Sequence, residues 1–485
     1  MRQAVVRAAS LAAVALLLVA ETTRAHDSGF GLARYQPDGA LDPSFGAGGL
    51  IVIRSAERSF VANALALQTD AKIVVGGMAS DASNGTVRLA LARYNADGTP
   101  DSGFAGSGMT STSVGDAGAE ANAVAVQPDG MIVVAGTAFS SGSAGDAFFV
   151  ARFTPAGSLD RRFGTGGITT THVGAGASTA AALALTPSGQ IVLAGTAFSN
   201  GSTDDDFAVA RYTFDGHLDA TFGQDGRVTT DFGRGEVNAN PSLDRAGALA
   251  QQTDGKIVVA GFTRGDRPSF AAVRYNLDGS LDAGFGNAGK AQVAADQPQV
   301  FGLALQDSGD IVLAGSVASA NRGTAPFALA RLRADGHPDE TFGAGGLITT
   351  TFEGSRSGAR SVVVQPDGKL IMGGARFGAP SAQGDPIAES GFALVRYNPD
   401  GSVDSGFGTG GKTLTSMGDA GATPLSLAVQ PDGKLLAAGL VFFQVPSAAS
   451  PGVLDVAGRL AAPAAGLGVL LLGMGAGIML RRSKK

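Results

Sequence analysis

Residues 123–167 read AVAVQPDGMIVVAGTAFSSGSAGDAFFVARFTPAGSLDRRFGTGG, and this stretch recurs along the chain. Its arginine returns as Arg34, Arg93, Arg152, Arg211, Arg274, Arg331 and Arg396, at intervals of 59, 59, 59, 63, 57 and 65 residues. Eight residues after each arginine stands an aspartate: Asp42, Asp101, Asp160, Asp219, Asp282, Asp339 and Asp404. Eleven residues after it stands a phenylalanine: Phe45, Phe104, Phe163, Phe222, Phe285, Phe342 and Phe407. Self-similarity at such a period marks stacked supersecondary units that cannot bury their apolar faces alone.

Each copy contains four short apolar or β-branched runs bounded by Gly, Asp and Pro, which is the signature of strands. In the quoted copy and its continuation they are a (123–127), b (132–136), c (148–153) and d (168–171). Pro-Asp-Gly between a and b encodes a tight turn, because Pro presets φ and Gly supplies a positive φ. Four strands in about 60 residues, seven times over, predict an all-β fold, a seven-bladed β-propeller of four-stranded blades. A β-solenoid has shorter rungs. A string of independent small sheets would bury too little surface per unit. The a runs are built of Ala with Val or Leu, which suits a crowded inner strand, and the Thr-rich d runs suit an outer edge. The chain opens with c (30–35) and d (50–53) and closes with a (426–430) and b (435–439). The last blade is therefore expected to take two strands from each terminus.

The ends carry an address. Arg2 and Arg7, the apolar run 8–20 and Thr23-Arg24-Ala25 read as a secretory signal over 1–25. The repeats occupy the body, 26–445, and 446–459 is a linker. Residues 460–480 are 21 residues without a charge, enough to span a bilayer. Arg481, Arg482, Lys484 and Lys485 follow, which places the C-terminus in the cytoplasm and the propeller outside. The expectation is an exported protein, periplasmic or on the cell surface, held by one C-terminal transmembrane helix unless the tail is processed. The net charge is −6 and both ends are basic, so the body is more acidic still, which argues against nucleic acid. The chain has no Cys, which excludes disulfides, thiolate metal sites and thiol nucleophiles.

Motifs for chemistry are sparse. Residues 284–289 and 406–411 match G-x-G-x-x-G, but a strand follows where a dinucleotide site needs a helix. Asn398, Asp400 and Asp404, like Asn95/Asp97/Asp101 and Asn276/Asp278/Asp282, suggest an oxygen-lined calcium loop. Another copy has Thr154 and Ala156 at the first two places, and only the last aspartate is universal. An aspartate that recurs with an arginine is better read as a cap or as that arginine's partner. His26, His172, His217 and His337 form no motif, and Arg264-Gly265-Asp266 and Asp204-Asp205-Asp206 are short matches. No catalytic, cofactor or metal residue is assigned; calcium is the only cofactor considered.

The unit seen at 365–374 and 391–411 (QPDGKLIMGG, GFALVRYNPDGSVDSGFGTGG) resembles the delta-60 repeat family of bacterial β-propellers and, more loosely, the NHL-type unit. The tail is similar to C-terminal sorting signals of the PEP-CTERM kind. The resemblance implies a secreted or surface propeller with no assigned chemistry.

Spacing within the units points to where function sits. The arginine-to-phenylalanine count never varies, whereas the d–a connection at 231–247 and the b–c connection at 375–390 are long. In an antiparallel blade these two connections emerge on one face, and loops that carry function vary while a scaffold keeps its spacing. The candidate binding residues are Glu236, Asn238, Asn240, Asp244, Arg245, Arg376, Gln383, Asp385 and Glu389. The reading is a binding scaffold for an unidentified protein or glycan of the envelope. The alternatives are a hydrolase or lyase with a site in the central channel, or a purely structural envelope protein. The enzyme needs His, Asp or Glu at inner-strand ends, where the a runs offer Ala, Val, Leu and Gln.

Overall fold

The computed structural model describes residues 26–54, 58–81, 86–198, 205–233, 243–264, 267–317, 325–352, 356–377, 390–418 and 421–444. The chain divides into a body, 1–445, and a separate segment, 446–485. The expected signal, linker, membrane helix and basic tail lie outside the described residues. Among the described residues, no helix is long and apolar enough to cross a membrane.

The body is all β and propeller-like. Its described residues form 28 strands in seven four-stranded antiparallel groups, called here units 1 to 7. Unit 2 shows the pattern: a (Ala119–Val126), b (Ile132–Ala138), c (Ala147–Phe153) and d (Ile168–Thr171), paired in chain order. Units 3 and 4 share one sheet through a single parallel bridge, Asp205 to Leu243. Unit 7 is assembled from both ends of the body. Its order is Leu50–Ile53, His26–Tyr35, Leu435–Gln444 and Gly421–Val429. The register of the central pair runs from His26↔Gln444 to Tyr35↔Leu435, as the order of the first and last runs requires.

The a strands of successive units lie against one another around the circle, from unit 1 to unit 7 and back to unit 1. They approach closely: a Cβ on Gly247 of unit 4 would fall 2.3 Å from the carbonyl oxygen of Val300 in unit 5. The a strand begins earlier than the alternating pattern indicates, at Ala119 and not Ala123, because one extra residue interrupts the period of two. That residue is a β-bulge, which bends a strand and re-aims a side chain.

The core lies between sheets and not within them. Val133, Val150 and Phe163 of unit 2 pack against Leu193, Ala210 and Tyr212 of unit 3, all fully buried. A polar clasp crosses the same junctions. The residue after the arginine is Tyr in five units, and in three of them its hydroxyl meets a Thr on the d strand of the preceding unit. The pairs are Tyr275–Thr230 at 2.7 Å, Tyr397–Thr350 at 2.7 Å and, across the closure, Tyr35–Thr415 at 2.9 Å. Where unit 5 has Leu332, the residue in the Thr register is Val293, so both partners become apolar together. Tyr94 packs in a cluster with Ile53 instead, and among the described residues its hydroxyl makes no hydrogen bond.

This contrast is testable by urea denaturation. Tyr275→Phe breaks a buried bond and strands Thr230, which should cost about 1 kcal/mol. Tyr94→Phe removes a hydroxyl with no such partner and should cost clearly less. Equal losses would mean that the clasp adds nothing.

Candidate recognition face

One face of the body is fixed by a latch that recurs at each junction. Within every unit the arginine Nε or Nη donates to the aspartate eight residues on, at 2.6–2.9 Å. Its guanidinium lies over the phenylalanine eleven residues on, with centroid distances from 4.2 Å at Arg331 to 4.8 Å at Arg396. Its Nη1 donates to a backbone carbonyl in the c–d turn of the next unit: Arg93 to Pro155 at 2.6 Å, Arg152 to Phe214 at 2.8 Å, Arg274 to Ala334 at 2.6 Å and Arg331 to Pro399 at 2.5 Å. Arg34 and Arg211 reach Ala96 and Leu277 in the same way. Arg396 of unit 6 reaches Pro37 of unit 7 at 2.5 Å, which closes the circle.

The turn that accepts this bond also lies on the phenylalanine. A Cβ on Gly216 would fall 2.6 Å from the Phe163 ring, and one on Gly39 would fall 2.9 Å from Phe407. Both glycines have φ near +90° (88° and 90°), so Gly is required twice over, for conformation and for space.

Each aspartate does two jobs. One carboxylate oxygen takes the arginine and the other takes the backbone N–H two residues on, as Asp219 does from Thr221 at 3.0 Å. In units 1, 4, 6 and 7 a lysine at the start of strand b adds a second cation: Lys72, Lys256, Lys369 and Lys434 lie 2.9–3.1 Å from Asp101, Asp282, Asp404 and Asp42. Burial alone would raise the Asp219 carboxyl. Hydrogen bonds from Thr221 and the charge and hydrogen bond of Arg211 outweigh it and hold the group below the usual carboxylate range. The other six are lowered as well; at Asp339 and Asp404 the largest influences are themselves lowering ones, from Thr341 and Lys369. The oxygens read as a calcium loop thus have separate duties. Asp400 accepts from Ser402, Asn398 donates to Ser402, and Asp404 receives two cations.

The opposite face carries the b–c and d–a loops. Glu236, Asn238, Asn240, Gln383, Asp385 and Glu389 lie outside the described residues, as do Asp204, Gly265 and Asp266. Asp244 is fully buried and accepts the Phe232 N–H at 2.8 Å, so it holds the loop's entry. Arg245 pairs with Asp205 at 2.9 Å, tying the start of the a strand of unit 4 to the start of the c strand of unit 3. Arg376 is half-buried near the end of its b strand and is engaged within the protein. Of the nine candidates, the three described ones thus do structural work.

Asp206, Asp231 and Asp244 bring carboxylate oxygens within 4.8 Å of one another, which unites the two loop types on one face. Three carboxylates supply only part of the roughly six to eight oxygens that calcium takes. His172, His217 and His337 are exposed.

The bulges form a second feature that the repeat reading misses. Every a strand carries one at the same register: Asn63 and Asn122 in units 1 and 2, Ala181 and Gly247 in units 3 and 4, Phe301 and Arg360 in units 5 and 6, Leu425 in unit 7. All seven are half-buried. Asn63 Nδ2 donates to Glu120 Oε1 at 2.8 Å and to the Ala121 carbonyl at 2.9 Å; Asn122 Nδ2 donates to the Ala180 carbonyl at 2.8 Å. The signal was present in the sequence: between small, repeated neighbours, this one position changes type from unit to unit.

A family model described as a domain of unknown function (DUF5122) beta-propeller matches residues 16–45, 68–104, 127–163, 186–222, 252–285, 306–342 and 388–407. Every match ends on the phenylalanine of the latch. No curated protein matches the chain in sequence. Among solved structures, the chain is similar to a protein of unknown function from Dyadobacter fermentans DSM 18053, at 11% identity over 80% of this chain and 96% of that one, with a TM-score of 0.42. It is also similar to the polysaccharide lyase PL25 ulvan lyase, at 11% identity, 80% and 94% coverage and a TM-score of 0.47. A third is the β-propeller domain of the Trilobed protease from Pyrococcus furiosus, at 10% identity, 71% and 82% coverage and a TM-score of 0.35. Likeness at this level says nothing of ligand or chemistry.

The latch is testable by mutation. Arg211→Ala leaves Asp219 buried without its cation and should cost about 3 kcal/mol. Exposed Arg267→Ala should stay within about 0.5 kcal/mol. Because the folded aspartates titrate below their unfolded value near about 3.9, their contribution is full above that pH and lost as pH falls through the folded value. The gap between parent and Arg211→Ala, measured by urea midpoints, should therefore narrow below about pH 4. A gap that is small, or independent of pH, would reject the latch.

Proposed function

We propose that this chain of DUF5122 β-propeller repeats is an exported binding scaffold, tethered at the membrane or cell surface, that holds a protein or glycan of the envelope on its b–c and d–a loop face. The observation that supports this most is the division of labour between faces. The arginine links, the aspartate caps and the lysine contacts all involve the a–b and c–d turns, where spacing is constant. The variable lengths at 231–247 and 375–390 fall on the other face, and the polar residues added there do not recur from unit to unit. The basic and apolar start, the uncharged run 460–480 and the basic end fit export with a single anchor. The likeness of the unit to delta-60 repeats, and of the tail to PEP-CTERM sorting signals, agrees with that address.

The test is to shorten 231–247 and 375–390 to the lengths of the other units by deletions within 234–242 and 378–389, which leave Asp244, Arg245 and Arg376 in place. Folding should survive, because loop length contributes only ~0.6 kcal/mol per doubling. Capture of envelope partners should fall. Undiminished capture by both shortened forms, with capture lost on changing the Pro-Asp-Gly turns, would assign recognition to the opposite face.

A further inference from the structure

The ring of bulged residues contains one cation, Arg360. Its guanidinium stacks on the Phe301 ring of the preceding unit, 4.2 Å from the centroid. Among the described residues it makes no ion pair or hydrogen bond, and its Nη1 is shielded from solvent without a partner. Two other charged residues of the a strands are already engaged. Glu120 is held by Asn63, and Arg245 is paired with Asp205. Arg360 thus differs from the seven latch arginines, each of which has an aspartate, a ring and a carbonyl. Burial pushes its guanidinium down to about 10, so it remains a cation at neutral pH.

A shielded donor of a cation without a partner is costly, and each such group in a native protein calls for a ligand, a water or a functional reason. With one face covered by Phe301, the N–H groups that remain lie along the edge of the guanidinium plane. That edge matches the two oxygens of a carboxylate, sulfate or phosphate in a bidentate pair. The bulge places Arg360 on the inner strand at the one point where that strand departs from its alternating pattern.

We propose that Arg360, braced by Phe301, is the anchor for an oxyanion on a ligand entering the centre of the ring. The inference does not depend on the loop-face reading, because neither long loop contains these residues.

The test uses the full chain, with thermal melts and calorimetric titration of sodium sulfate and sodium acetate against sodium chloride at matched ionic strength. The parent should melt several degrees higher in sulfate or acetate than in chloride. Arg360→Gln should lose that shift, bind the anion at least tenfold more weakly, and melt no lower than the parent in chloride, since it removes an unpaired cation. Arg360→Lys keeps the charge and stem without the planar edge; it should bind with intermediate affinity and serves if the Gln variant fails to fold. Equal anion responses in parent and variants would overturn the proposal. So would a Gln variant that melts several degrees lower in chloride while the parent shows no anion response, because the arginine would then be structural.

Discussion

One guanidinium per unit is shared between two sheets, and the rest of the structure depends on that sharing. Arg152 neutralises Asp160, covers Phe163 and binds the Phe214 carbonyl of the next unit. A four-stranded sheet of this size cannot bury its own faces. The guanidinium makes burial between sheets directional: it orients the turn that lies on the phenylalanine, and the apolar cluster behind follows. The same link between Arg396 and Pro37 makes the ends of the body part of the circle, so the strands shared in unit 7 are held by side chains as well as by backbone pairing.

This arrangement separates what must stay constant from what can change. The c–d turn has to present a carbonyl, a small left-handed residue and an aspartate at set positions, so its length is invariant. The b–c and d–a loops have no such duty beyond ties at the strand ends that flank them, such as Arg245 to Asp205, and they absorb insertions. The bulge of the inner strand is a third class of position. Its backbone is constant, but its side chain is Asn, Ala, Gly, Phe, Arg or Leu, because packing there asks only for an extra residue. Both variable classes sit where the repeat does not dictate chemistry.

Much of this was legible in the chain. The Arg, Asp and Phe register identified the unit, and the order of the first and last runs anticipated the shared sheet. The d run 168–171 was read to the residue. The a strand was begun late, because the bulge at Asn122 hides its first four residues from a period-of-two pattern. The Tyr–Thr clasp was missed, although Leu332 facing Val293 carries its trace. The candidate loop residues were chosen for polarity alone. That criterion does not separate a free side chain from Asp244, which is buried against the backbone of its own loop.

The central claim is that the arginine latches make seven small sheets into one cooperative body. Native-state hydrogen exchange tests it most directly, by comparing the parent with Arg152→Met, which keeps much of the side-chain volume. The probes are the turn amides of Gly164, beside the substitution, and Gly408, bonded to Asp38 at 2.7 Å far along the chain. The account predicts that both lose the same free energy of protection, because opening one junction opens the ring. Loss confined to Gly164 and units 2 and 3, with Gly408 unchanged, would contradict it and describe a chain of sheets coupled only to their neighbours.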